Sequence, residues 1–183
     1  MDRLPERVEA EGLTLRRWTV ADAGIQHRAI VDNIAHLEPW MPWVALEPRP
    51  LEDRVALLSR WEREWRAGGD VLLGVFAGGA VAGSCGLHRR RGTGVLEIGY
   101  WIHVGFLRRG FATAVASALT ATALSTPGVD RVEIHHDRAN EASAAIPRRL
   151  GYRFVGERPD RIEAPGEVGI DCVWCLDRDS EGG

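Results

Sequence analysis

Cysteine is scarce in this 183-residue chain: Cys85, Cys172 and Cys175 are too few, and odd in number, for a disulfide framework. Cys172 and Cys175 form a C-x-x-C pair in GIDCVWCL, but that segment alternates and is rich in β-branched and aromatic residues, so it reads as a strand. Residues three apart on a strand point to opposite faces, and no second pair completes four ligands, so no metal site is expected. Charge of one sign is not in excess either. The net charge of −3 gives no pull toward nucleic acid or an anionic membrane. The longest weakly apolar run, Phe111 to Leu124, is about 14 residues, well short of the roughly 20 that cross a bilayer. MDRLPERVEAEG, at the start, is too polar for a signal peptide. Repeats, low-complexity tracts and linkers are missing. Together these absences predict one domain over residues 1–183, in the cytoplasm, with neither nucleic acid nor membrane as a partner.

What is there is an ordinary globular composition, 45% apolar and 27% charged. A strand is expected over Leu13–Trp18, a helix from Val20 to Asn33, and a loop, HLEPWMPWV, in which Pro39 and Pro42 forbid regular structure. A helix follows from Leu51 to Trp65. Two strands then flank Ala77-Gly78-Gly79-Ala80, a tight hairpin turn. Arg89, Arg90 and Arg91 precede Gly92 at the next bend and read as a solvated charge run. VLEIGYWIHV alternates, with Leu96, Ile98, Tyr100 and Ile102 on one face and Glu97, Gly99, Trp101 and His103 on the other. RVEIHH is a further strand. NEASAAIPRRLGY is a short helix capped by Asn140 and stopped at Gly151. Strands near Tyr152–Glu157 and Val168–Leu176 complete a mixed sheet with helices on its faces. His103, His135 and His136 lack metal-ligand spacing and read as structural.

FLRRGFATAVASALTATAL, Phe106 to Leu124, breaks the usual rules for starting a helix. No Ser, Thr, Asp or Asn stands near Leu107 or Arg108 to cap the free amides. Arg108 and Arg109 sit where the helix dipole is already positive. Uncapped amides, a glycine permitting close approach and flanking arginines together describe an anion site, most naturally for phosphate or pyrophosphate. Neither G-x-x-x-x-G-K-[ST] nor G-x-G-x-x-G occurs, so this is not a P-loop or a dinucleotide fingerprint.

EIGYWIHVGFLRRGFATAV, followed by NEASAAIPRRLGY, resembles the GNAT superfamily of acyl-CoA-dependent N-acyltransferases, in particular its RimJ/RimL-like branch of ribosomal-protein N-terminal acetyltransferases. The resemblance spans Leu13 to about Leu176 and includes a PWMPW-like loop at Pro39–Trp43. It implies an α/β (α+β) fold: a mixed, mostly antiparallel sheet of about seven strands, about four helices, and a splayed strand pair holding coenzyme A. It also implies transfer of an acetyl group from acetyl-CoA to a primary amine, either a protein N-terminal α-amine or a small molecule, without metal. Carried over residue by residue, Arg108, Arg109, Gly110, Phe111, Ala112 and Thr113 hold the pyrophosphate, and Trp101, Ile102, His103 and Val104 lie along the pantetheine arm. Asn140 meets the pantetheine region and Ser143 lies near the thioester sulfur. Homodimers are common in the family and one is compatible with this chain.

Two positions depart from the family pattern. Leu107 stands where Gln or Arg is usual, so that side-chain contact is lost. Pro147 stands where many members place a tyrosine that protonates the departing thiolate, which leaves Ser143 as the candidate donor. The attacking amine must also lose a proton. Glu97, mid-strand on the face away from the apolar one, is a candidate base through water; pairing with an arginine at the sheet surface is the alternative. Trp40 and Trp43 are candidates for the acceptor-pocket wall, and Asp171 and Glu38 for attracting a cationic acceptor. A coenzyme A-binding module without catalysis, and a different phosphate binder, are the rival classes.

Overall fold

The computed structural model describes residues 3–178. Eight strands form one sheet: β1 (Arg7–Ala10), β2 (Leu13–Arg17), β3 (Val71–Ala77), β4 (Ala80–His88), β5 (Val95–Ile102), β6 (Arg131–Asp137), β7 (Arg153–Pro159) and β8 (Ile170–Asp177). Their order is β1-β2-β3-β4-β5-β6-β8-β7, and every pairing is antiparallel except β5 with β6. The helices are α1 (Ala23–Val31), the single turn α2 (Ile34–Leu37), α3 (Leu51–Arg66), α4 (Phe111–Ser125) and α5 (Glu141–Arg149). The sequence-level plan lacks only β1 and α2. β1 is an edge strand, RVEA, whose residues stay exposed or half-buried, so it has no apolar alternation to announce it.

The sheet divides two apolar clusters. Helix α4 packs across β1, β2, β4, β5 and β6 on one face, sealing Val115, Leu119 and Ala123 against Leu15, Leu73, Leu96, Ile98 and Val132. Its alanines let it lie close to so many strands, and each fully buried Val or Leu contributes about 1.5–3 kcal/mol. On the other face, α1 and α3 pack on β4 and β3, burying Leu58 and Ala23 with Trp18 and Phe76. The predicted Val20–Asn33 helix is divided: a 3₁₀ turn (Val20–Asp22) opens it, and it ends before Asn33, which turns its side chain to other work. Beyond β4 this second face carries polar side chains from β5, β6 and β8: Glu97, Glu133, His135 and Asp171.

Candidate active site

After a 3₁₀ turn at Val104–Phe106, the chain reaches α4 through two left-handed residues, Arg108 (φ 60°) and Gly110 (φ 77°). Arg108 is the one non-glycine with positive φ among the described residues. That conformation costs an L-residue about 1–2 kcal/mol, and such strain concentrates at functional sites. α4 therefore starts at Phe111, a few residues past the start expected near Leu107 or Arg108. Gly110, at the N-cap, has no side chain to cap with, and the first helical bond is Ala114 N–H to Gly110 O at 3.0 Å. Among the described residues the amides of 108–113 find no acceptor. The Arg109 guanidinium lies 5.2 Å from the Phe106 ring centroid, and Phe106 stacks on Phe111. Arg149, at the end of α5, donates to Thr113 Oγ1 at 3.0 Å and brings a further cation to this helix end.

The strand leading into this turn parts from its neighbour. β5 pairs with β6 only from Val95↔Arg131 to Ile98↔Ile134, although both strands run on. Adjacent residues of a strand present their backbone groups to opposite neighbours. His103 N–H donates to Ala82 O, at the edge of β4, at 2.8 Å, so its alternates Tyr100 and Ile102 turn their N–H and C=O groups into the gap. Of the four expected arm residues, Ile102 is the one that presents its backbone to the gap. Trp101 and His103 direct their backbone to β4, and the Val104 amide is taken by Asn33 Oδ1 at 2.7 Å. Asn33 is buried and donates its own amide to Ala29 O. His103 Nδ1 accepts the Gly105 N–H.

α5 closes the gap from the α4 side. Asn140 Oδ1 accepts the Ser143 N–H at 3.0 Å, capping the helix as expected and leaving its NH₂ group to donate elsewhere. Ser143 Oγ lies 3.5 Å from the Tyr100 hydroxyl, whose pKa burial pushes up to about 12. Pro147 is buried inside α5 and has no N–H for the carbonyl four residues back, that of Ser143. Tyr100 was not a candidate from sequence, because strand alternation makes it look like core.

Glu97 takes the second of its two expected roles, pairing with arginine, and does so buried. It is 4% exposed and forms ion pairs with both Arg90 and Arg91. Burial alone raises its pKa, but the hydrogen bond and charge of Arg90, with His135 and Arg91, hold it below the ordinary carboxylate range. A carboxylate so stabilised is a weak base, which removes Glu97 as proton acceptor and the Arg90–Arg91 pair as a merely solvated run. Asp171 is likewise engaged, with His135 Nδ1 at 2.9 Å and Arg158 at 2.8 Å; Glu38 is exposed. His135 also meets Glu133 at 2.9 Å. His136 accepts from Trp174 Nε1. Trp40 and Trp43 are half-buried in the loop after α2, which Gly166 N–H ties to the β7–β8 connection by a 2.9 Å bond to Pro39 O. The three thiols are buried and free. No group of metal-ligating side chains occurs among the described residues, and none of their helices is long and apolar enough to cross a membrane.

Comparison with known proteins gives consistent results. A family model described as an acetyltransferase (GNAT) domain matches residues 12–153. A Bacillus subtilis (strain 168) protein provisionally named ribosomal N-acetyltransferase YdaF is 28% identical over 158 residues, covering 85% of this chain and 86% of its own length. Among solved structures, the ribosomal L7/L12 α-N-protein acetyltransferase RimL in complex with coenzyme A superposes with a TM-score of 0.84 at 18% identity, covering 98% of this chain and 100% of its own. The microcin C7 self-immunity acetyltransferase MccE, in complex with acetyl-CoA and AMP, gives 0.83 at 18% identity over 91% and 93%. These last two likenesses are of fold.

Proposed function

The chain belongs to the GNAT acetyltransferase family, and from that premise we propose that it transfers the acetyl group of acetyl-CoA to the N-terminal α-amine of a protein. The observation that carries the proposal is the continuity of two unsatisfied backbone surfaces. The amides of 108–113 offer donors to a pyrophosphate, with Arg108, Arg109 and Arg149 supplying charge. The free edge at Tyr100 and Ile102 begins a few residues upstream and offers alternating donors and acceptors to an amide-bearing arm. A cosubstrate that is anionic at one end and peptide-like along its length fits both.

When bound, acetyl-CoA supplies an acylated thiol whose carbonyl an amine attacks. The chain's own contribution is to orient that carbonyl, to place an N–H of the free edge, such as that of Ile102, at the developing oxyanion, and to return a proton to the leaving sulfur. We assign that proton to Ser143, whose Oγ lies 3.5 Å from the Tyr100 hydroxyl. The Asn140 NH₂ is free to meet the arm. Trp40 and Trp43 serve as apolar walls for the acceptor. A protein amine is favoured over a small molecule by the B. subtilis relative, which is named for a ribosomal acceptor.

Thiol release from acetyl-CoA, followed across peptides with Ser, Ala or Met at the N-terminus and across polyamines and amine antibiotics, tests this reading. Release with peptides supports it. Release with small amines alone moves the acceptor to a small molecule, and silence with acetyl-CoA bound makes the chain a non-catalytic binding module.

A further inference from the structure

The face of the sheet opposite α4 carries a histidine–carboxylate pair that none of these roles uses. His88 ends β4, directly across from Glu97 on β5. Its Nδ1 lies 2.7 Å from Asp70 Oδ2, and Asp70 Oδ1 accepts the Arg89 N–H at 2.8 Å. Burial opposes the charge on Asp70, but these two hydrogen bonds, with the charges of His88 and Arg90, outweigh it and keep the carboxylate ionised. An ionised carboxylate can only accept, so Nδ1 carries a hydrogen, and Nε2 is the ring nitrogen left to exchange a proton. Among the described residues Nε2 has no hydrogen-bond partner, and the side chain is 15% exposed.

Two glycines fix where Nε2 lies. A Cβ on Gly86 would stand 3.1 Å from Nε2, and one on Gly99 would stand 3.2 Å away. The imidazole therefore rests across a cross-strand pair that has no side chains to fill this part of the face. Gly99 is the first residue of β5 past its last pair with β6, the apex of the gap. An arm anchored at 108–113, beyond the far end of β5, and running inward between the strands brings its acyl end to that apex. Tyr100 and Ser143 meet it from the α4 face; His88 meets it from the other.

The geometry points to His88 as the general base for the acceptor amine, with Asp70 as its positioning residue, an assignment that rests on the acetyl-transfer reading. As the amine nitrogen bonds to the carbonyl carbon, one N–H proton passes to Nε2. The C–S bond breaks with its electron pair on sulfur. The thiolate takes a proton from Ser143, which regains one from water, and His88 gives its proton to water, so the products are an amide and a free thiol. Glu97, across from His88, then serves as a fixed charge held by Arg90 and Arg91.

The test compares His88→Ala, His88→Gln and Asp70→Asn with the wild type, using an accepted peptide. Both His88 variants should lose about 100-fold or more in kcat, the size expected for a lost general base, with the KM for acetyl-CoA within about twofold. His88→Ala should regain part of its rate with added imidazole, and Asp70→Asn should lower kcat with melting temperature and acetyl-CoA KM unchanged. Should His88→Ala fold poorly, His88→Gln, which can still donate to Asp70, reads the same loss. A kcat within threefold of wild type in a folded His88 variant overturns the assignment while leaving acetyl transfer intact. A wild type silent with every amine overturns both.

Discussion

Glu97 shows how one residue can be placed correctly while two readings of its role stay open. Alternation put it on the right face of β5, but the two arginines that neutralise it lie six and seven positions earlier, across a bend whose course the sequence does not specify. With its charge committed, Glu97→Gln should keep kcat within a few-fold of wild type, against the factor of 100 or more that loss of a base would cost. Its melting temperature should fall, because Arg90 and Arg91 lose a buried partner. Turnover and thermal melting on the same sample separate the two effects. Ser143 was legible as part of the N-x-x-S helix start; its contact with Tyr100 was not, since the pair is joined only by the docking of α5 beside β5. Ser143→Ala should lower kcat by about 10-fold or less, because a thiolate with a pKa near 8.5 departs well unaided. Tyr100→Phe should lower it by a smaller factor, and stopped assays at saturating acetyl-CoA would show both.

At the scale of elements, the loop-to-helix junction before α4 was the most readable part of the chain. Missing caps, paired arginines and a glycine are all local signals, and local signals survive in a single sequence. The gap between β5 and β6 is not local. Where a parallel pair ends depends on partners more than thirty residues apart, and so does the capture of the Val104 amide by Asn33. The junction nonetheless yields a sharp prediction. Gly110 sits at φ 77° with nothing within 4 Å of an added Cβ. Asn and Asp tolerate that conformation better than other residues with side chains, so Gly110→Asn should leave acetyl-CoA affinity within about threefold. Gly110→Asp adds a negative charge at the anion site and should weaken binding about 10-fold or more. Calorimetric titration of the two variants, with comparable melting temperatures, isolates charge from strain.

Across the whole molecule, ionisation sets a window of stability. His135 is buried, which by itself lowers its pKa, but its bonds to Asp171 and Glu133 and the charge of Glu97 raise it above the ordinary value. Its contribution is therefore complete below about pH 6.5 and is lost as the pH climbs through the raised value. Asp171 and Glu97 are shifted down in spite of burial, by His135 and Arg158 in one case and chiefly by Arg90 in the other. Their contribution is present above about pH 4 and is lost on acidification through the depressed values. Stability should peak between roughly pH 4.5 and 6.5, and His135→Asn should flatten the alkaline decline. Melting curves from pH 4 to 9 test this, and a stability that stays flat across that range would contradict it.

The chain contains no lysine, so none of its own side chains offers a competing primary amine. That simplifies the measurement that bears most directly on the central claim. Two peptides of identical sequence, each with an internal lysine and one with its N-terminus blocked, are incubated with protein and acetyl-CoA, and the products are located by tandem mass spectrometry. Acetylation of the first residue's α-nitrogen in the free peptide, with none in the blocked one, is the predicted result. Acetylation of the lysine in both peptides, or no acetylation of either peptide, would contradict the assignment of an N-terminal amine as acceptor.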